Sequence, residues 1–284
     1  MVVFSIPRGD PAPSALARRL VGCLLLALVP LTGLGEQSSD PWESATGLDF
    51  SAALQRFEEA RRTAPTDTRL MLGHASVLLN RQPVTSANIE HATSLLREVD
   101  ADIGAPPPRR ATARYLLGRI AQDHLDSPDL ETARDCYVGV MRDFPSHPLA
   151  GQAAVNLGLM LRWSKPGLPP EEIASGLEKL LTDTTAPEAR RELLFLLGEL
   201  RRKELADSRG ARDALLAARV IGFETRGRNG DVDLLLAALS RELNDPTAAA
   251  AHYQAFVRDH PRDSRTTTVR RLAAELADAH ASPP

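Results

Sequence analysis

Two landmarks recur along this chain at intervals close to 40 residues. The first is the dipeptide Leu-Gly. From its second occurrence onward, the spacings of this series are 40, 40 and 39 residues. It stands at Leu72-Gly73, Leu117-Gly118, Leu157-Gly158 and Leu197-Gly198, and Leu236-Ala237 continues the series. The second is an alanine series with spacings of 39, 41, 41, 40 and 35 residues, formed by Ala53, Ala92, Ala133, Ala174, Ala214 and Ala249. Two interleaved series of one period indicate a repeat protein in which each unit packs on its neighbours.

Each repeat carries the pattern of amphipathic helices. Apolar residues lie three and four positions apart, as in Leu130, Ala133, Tyr137 and Val140, which is the period of a helix with one buried face. The composition agrees, because 43% of the 284 residues are hydrophobic but only 4% are aromatic, so the apolar content comes from helix-favouring Ala and Leu. We predict that each repeat is a pair of antiparallel helices and that Gly118 and Ala133 face each other where two helices cross.

The helix limits follow from this periodicity and from capping residues. We predict a first helix at 49–63, then pairs at 67–81 with 85–99, 109–124 with 127–143, 147–163 with 171–182, 187–204 with 208–221, and 231–243 with 246–259. A final helix near 263–280 is expected to cap the stack. Asp49, Ser208 and Asp245 are the expected N-caps, and residues 100–110, 163–171 and 222–231 are the expected long connections.

The second helices resemble those of the tetratricopeptide repeat (TPR) family. An alanine, then an aromatic residue four positions on, then a proline eight positions further occurs three times. The three sets are Ala53-Phe57-Pro65, Ala133-Tyr137-Pro145 and Ala249-Tyr253-Pro261. The resemblance covers residues 48–280 and implies an all-α, TPR-like α-solenoid of five to six antiparallel helix pairs with a C-terminal capping helix. The period exceeds the 34 residues of that family, so HEAT-like pairs are a second interpretation of the middle units.

The N-terminal segment has the pattern of an export signal. Arg18 and Arg19 precede the 15-residue stretch 20–34, and Gly33 and Gly35 are the small residues that precede a cleavage site. The stretch is shorter than the ~20 apolar residues that cross a bilayer. We therefore predict a signal peptide at 1–35, a tether at 36–47 and a helical repeat domain at 48–284, in a protein exported to the periplasm or cell envelope of a bacterium-like cell.

Two alternatives remain for this segment. It is either retained as an uncleaved anchor, or lipidated at Cys23, since Leu20-Val21-Gly22-Cys23 resembles a bacterial lipobox. In either case the membrane contact is made through the N-terminal segment only.

The sequence gives no sign of an enzyme. The seven histidines include no pair at the i, i+4 spacing of two ligands on one helix face. The chain also has no phosphate-binding Gly-rich loop and no Gly-x-Ser-x-Gly nucleophile motif. Cys136, the one cysteine after residue 35, is interpreted as a partly buried apolar residue. A net charge of −3 disfavours nucleic acid as a partner. We therefore predict no catalytic residue, no metal and no cofactor.

The resemblance implies that first helices line a concave groove that binds a peptide or a partner protein. Residues after the Leu-Gly landmarks, or half a turn before them, are the candidate groove residues. They are Tyr115, Arg119, Gln122, Asn156, Arg162, Trp163, Arg202 and Arg241. Asn156 matches the asparagine with which some TPR domains hold a terminal carboxylate, but the other residues of that clamp are not recognisable in this sequence.

The arginines of this set favour an acidic partner, because guanidinium pairs with carboxylates. A solvated helix face is the alternative for these positions. At the level of function, the alternatives to a binding scaffold are an oligomeric envelope-assembly factor and a non-catalytic α-superhelical part of a cell-wall enzyme system.

Overall fold

The computed structural model describes residues 40–164 and 167–281. Within these ranges the chain forms thirteen α-helices, one π-helical turn and no strand. The helices are α1 Pro41–Thr46, α2 Phe50–Thr63, α3 Thr68–Asn80, α4 Ser86–Ala101, α5 Pro107–Arg119, α6 Leu130–Asp143, α7 Pro148–Trp163, α8 Pro170–Asp183, α9 Pro187–Lys203, α10 Ser208–Ile221, α11 Arg226–Glu242, α12 Pro246–Asp259 and α13 Thr266–Ala281. The π-helical turn, Ile120–His124, directly continues α5. The predicted all-α class of TPR-like helix pairs is thereby confirmed.

The described residues divide into two compact units, one ending at Leu95 and the other beginning at Leu96. In the N-terminal unit, the ring of Trp42 on α1 meets the ring of Phe57 on α2 edge-on, with centroids 5.1 Å apart. Gly73 on α3 allows this packing, since a Cβ there would come within 2.4 Å of Phe57 and 2.8 Å of Trp42. Residues 41–46 fall within the predicted tether but form a packed helix, because Trp42 and Ala45 supply apolar side chains to this core.

In the C-terminal unit, helices that follow one another in sequence pack together, and α7 also packs on α5 and α9, the helices two positions away. The pairs are α5 with α6, α7 with α8, α9 with α10, and α11 with α12, and α13 packs on α12. As predicted, α2, α6 and α12 end two residues before Pro65, Pro145 and Pro261. This neighbour-to-neighbour order is typical of helical repeats.

Several details differ from the sequence-based prediction. Helix α11 begins at Arg226 rather than near 231, and α4 and α5 leave only residues 102–106 between them. The N-cap of α10 is Asp207, whose carboxylate accepts from the amide of Gly210, and Ser208 is the first helical residue. Asp49 and Asp245 are N-caps as predicted.

The predicted crossing of Gly118 with Ala133 is also corrected. A Cβ on Gly118 would lie 2.8 Å from the ring of Tyr137 and 3.1 Å from the Cβ of Cys136. The small residue on α5 therefore accommodates the ring of Tyr137, one turn along α6 from Ala133. Ala133 is itself fully buried in the same core.

The predicted signal peptide, its cleavage site and Cys23 lie outside the described residues. Within the described ranges, no helix combines the length and hydropathy that crossing a membrane requires.

Candidate functional site

Side-chain contacts join the first helices of successive pairs. Asn156 on α7 donates from Nδ2 to the hydroxyl of Tyr115 on α5, at 3.2 Å. Arg162 at the end of α7 pairs with Glu204, the residue that caps α9. Arg228 on α11 donates to Oε2 of Glu192 on α9 at 2.7 Å. These contacts place α5, α7, α9 and α11 in a row, and we call the surface they form the first-helix face. The predicted groove residues lie on α5, its π-helical continuation, α7, α9 and α11.

Two tyrosines anchor one end of this face. Tyr115 and Tyr137 are 2% and 0% exposed, and their ring centroids are 5.7 Å apart. The Tyr137 hydroxyl donates to Oε1 of Gln122 at 2.7 Å, and burial raises the pKa of Tyr137 above its usual value. Tyr115, Gln122 and Asn156 therefore lie in one cluster. Their polar atoms bind one another and Tyr137, so this cluster fastens α5 to α6 and α7.

Three of the four predicted arginines form ion pairs within the chain. Arg119 Nε lies 2.7 Å from Asp123, Arg202 lies 3.1 Å from Glu199, and Arg162 pairs with Glu204. The side chains of Arg119 and Arg162 are both only 14% exposed. Three of the four candidate arginines therefore stand beside an acid of the same chain rather than as isolated cations.

The pKa shifts on this face agree with these pairs. Burial alone would lower the pKa of Arg119, but the charge and hydrogen bond of Asp123 raise it overall. Burial alone would raise the pKa of Glu199, but hydrogen bonds from Lys203 and Arg202 lower it overall. Both groups therefore stay ionised at neutral pH.

Trp163 and Arg241 are the accessible members of the predicted set. Trp163 is 40% exposed, and the Arg162 guanidinium lies 5.7 Å from the centroid of its ring. Arg241 is exposed near the end of α11, and no acidic side chain in the described ranges lies within ion-pair distance of it. A half-exposed aromatic ring and an uncompensated cation are groups that commonly contact a partner protein.

Sequence reasoning missed the acids that compensate the arginines. Asp123 follows Arg119 by four positions and Glu199 precedes Arg202 by three, so helical spacing carried a signal for both pairs. Glu204 is 42 residues from Arg162, and only the packing of α7 beside α9 brings the two together.

Cys136 has the environment predicted for it. It is half-buried, and burial, together with the carboxylate of Asp100, raises the pKa of its thiol to about 11. Thiolate is the nucleophilic form of cysteine, and it is scarce at neutral pH in this setting. In the described part of the chain, no group of three or more His, Cys, Asp or Glu side chains is arranged to hold a metal ion.

No family model matches this chain, and no curated protein matches it. A chain of the solved structure titled "Crystal structure of APC/C hetero-tetramer Cut9-Hcn1" is similar to it, with 16% identity and a TM-score of 0.42. The match covers 82% of this chain and 41% of that chain, so this chain spans less than half the length of its neighbour.

Proposed function

We propose that this protein is a non-enzymatic protein-interaction scaffold that binds a peptide or partner protein on its first-helix face. The observation that carries the proposal is the row of first helices, in which side-chain contacts such as Tyr115–Asn156 and Arg162–Glu204 tie successive pairs into one surface. TPR-like folds are typically non-catalytic and act by presenting such surfaces to partners.

The charges on the face suggest the chemistry of the partner. Arg119 and Arg202 are paired with acids of the same chain. An acidic group of the partner would therefore gain binding energy mainly by pairing with Arg241. An apolar side chain of the partner would pack on Trp163, which is the exposed aromatic ring of the face. We infer a partner segment that carries an apolar group and a carboxylate, rather than a uniformly acidic peptide.

Substitution of the two accessible residues tests this proposal. A partner captured with residues 36–284 is titrated against Trp163→Ala and Arg241→Ala. Each change should weaken binding about tenfold, the usual effect of removing a well-placed aromatic or charged contact. The melting temperature should stay nearly unchanged, because both side chains are exposed.

Val220→Ala is the matched control, since Val220 is 86% exposed and lies on the second helix α10. If Val220→Ala weakens the partner as much as Trp163→Ala does, the first-helix face is not the binding surface. Arg162→Ala is unsuitable for this test because it would leave Glu204 without its partner.

We further propose that the protein acts in the periplasm or cell envelope. The support is the N-terminal sequence, with Arg18 and Arg19 before an apolar stretch and Gly33-x-Gly35 after it. Mass spectrometry of the protein from fractionated cells is expected to find an N-terminus near Glu36 in the soluble periplasmic fraction. An intact Met1 or a lipid on Cys23 in the membrane fraction would contradict this expectation.

A further inference from the structure

A groove that no predicted site includes lies between the second helices α6 and α8. Its volume is about 570 Å³, the size of several aliphatic side chains. Val138 and Met141 on α6, Met160 and Leu161 on α7, and Leu180 on α8 give it a largely apolar lining. Val138 is 45% exposed and adds to the accessible apolar surface of this lining. We call this feature the second-helix groove.

A glycine shapes one wall of the second-helix groove. Gly176 lies in the middle of α8, where glycine costs a helix about 1 kcal/mol relative to alanine. A Cβ at this position would come within 2.8 Å of the Cδ1 of Leu161. Because Gly176 has no side chain, Leu161 lies directly against the backbone of α8. Leu161 therefore packs closer to α8 than a side chain at position 176 would allow.

The groove is elongated. A second cavity of about 400 Å³ continues it beyond the C-terminal ends of α6 and α8, and Met141 and Asp183 line both cavities. Residues from Leu130 to Arg142 line the first cavity, which is nearly all of a helix about 20 Å long. A long, narrow occupant therefore fits this groove better than a compact one.

Basic side chains flank the apolar lining on both sides. Arg134 and Arg142 stand on α6 and are 48% and 72% exposed, and Lys179 stands exposed on α8. The acids paired with the two arginines, Asp135 and Asp143, do not line the groove.

The acids that do line it stand at helix ends. Glu131 is in the first turn of α6 and Asp183 is the last residue of α8. The middle of the second-helix groove is therefore apolar at its floor and has exposed cationic groups at both sides, two of which, Arg134 and Arg142, are also paired with acids that lie outside the groove.

We propose that the second-helix groove docks an acidic amphipathic helix of a partner protein. A helix satisfies its own backbone hydrogen bonds, whereas an extended peptide would place unpaired amides and carbonyls against apolar side chains. Apolar residues at i, i+3, i+4 and i+7 of the partner would fill the groove. Glutamates beside that stripe would lie near Arg134, Arg142 and Lys179. This contact is separate from the first-helix face.

A synthetic helical peptide tests the proposal. The probe has leucines at i, i+3, i+4 and i+7 and glutamates on both flanks, and a second peptide has lysine in place of every glutamate. We expect the glutamate peptide to bind the purified protein at least tenfold more tightly than the lysine peptide does, and we expect this difference to shrink as the salt concentration increases.

Matched variants locate the binding. Val138→Glu should weaken binding of the glutamate peptide at least tenfold, whereas Val220→Glu, a change of a more exposed valine on another second helix, should not. Lys179→Glu should weaken it several-fold, whereas Arg270→Glu, a change of an exposed cation on α13, should not. Circular dichroism confirms that each variant is folded, and Trp163→Ala should leave this binding unchanged.

Four results would overturn the proposal. Equal binding of the two peptides would remove the role of charge, and full binding by Val138→Glu would place the peptide elsewhere. Displacement of the peptide by laurate at equal concentration would make the groove a site for acyl chains. A dimer that dissociates in Val138→Glu would make a second copy of this chain the occupant.

Discussion

At the scale of single residues, several arginines join one helix to the next. Arg114 on α5 lies 3.0 Å from Asp100 on α4 and also pairs with Asp143 at the end of α6. Arg219 on α10 donates to Asp233 on α11 at 2.8 Å, and Asp233 is 2% exposed. Removing one member of such a pair leaves a poorly solvated charge, so these positions bear on stability more than on binding.

His74 is the residue with the clearest dependence on pH. It is 1% exposed, and its Nε2 is buried without a hydrogen-bond partner. Burial, the neighbouring His91 on α4 and Arg61 on α2 all disfavour a positive charge there and lower its pKa from 6.5 to about 4. The unfolded chain therefore binds more protons than the folded chain between these two pH values, and stability is lost as the pH falls through this window.

We expect the N-terminal unit to lose about 2–3 kcal/mol of unfolding free energy between pH 7 and pH 4. Urea unfolding in a Trp163→Phe background measures this loss, because Trp42 packs on Phe57 in the same unit and then reports on it alone. His74→Gln does not titrate and serves as the comparison. If the unfolding free energy of His74→Gln depends on pH as steeply as that of the parent protein, another group is responsible for the loss of stability.

At the scale of the helices, small residues set how closely two helices approach. Gly118, Gly158 and Gly198 each stand where a Cβ would meet a buried side chain of a neighbouring helix at 2.7–2.8 Å. These contacts recur at the spacing of the Leu-Gly series. They explain why the glycine also occurs in units whose second helix has no aromatic residue in the TPR-like pattern.

Gly118→Ala is expected to lower the free energy of unfolding by about 1–3 kcal/mol, because the buried ring of Tyr137 must move to admit a methyl group. Gly227→Ala is the control, since a Cβ there meets nothing within 4 Å in the first turn of α11. That change should leave stability unchanged or raise it by up to about 1 kcal/mol. Thermal and urea unfolding of the two variants give the comparison, and equal stability of both would contradict this role of Gly118.

Helix limits were predictable where local chemistry decides them. Asp49 and Asp245 cap their helices through their own side chains, and Pro145 is near enough in sequence to end α6. The start of α11 was not predictable in this way. Thr225, its N-cap, makes no side-chain capping bond, and the turn before it is held by the Asn229 amide, which bonds the backbone of Phe223.

At the scale of the whole molecule, the period of the sequence matches the order in which the helices pack within each unit. In the C-terminal unit the main helix contacts join neighbours or next neighbours, so a 40-residue period was sufficient to predict the pairs. The charge state of the first-helix face was less predictable. Whether Arg162 is available to a partner depends on Glu204 of the next unit, and a repeat pattern gives the position of a side chain but not its long-range partner.

Site-specific photo-crosslinking in cells tests whether the first-helix face binds a partner protein. A photoreactive amino acid replaces Trp163, Val138 or Val220 in turn, all three of which are exposed by at least 40%. We predict that position 163 crosslinks one defined partner and that position 220 crosslinks none. Crosslinks from position 138 alone, with none from position 163, would contradict the claim and leave the second-helix groove as the binding surface.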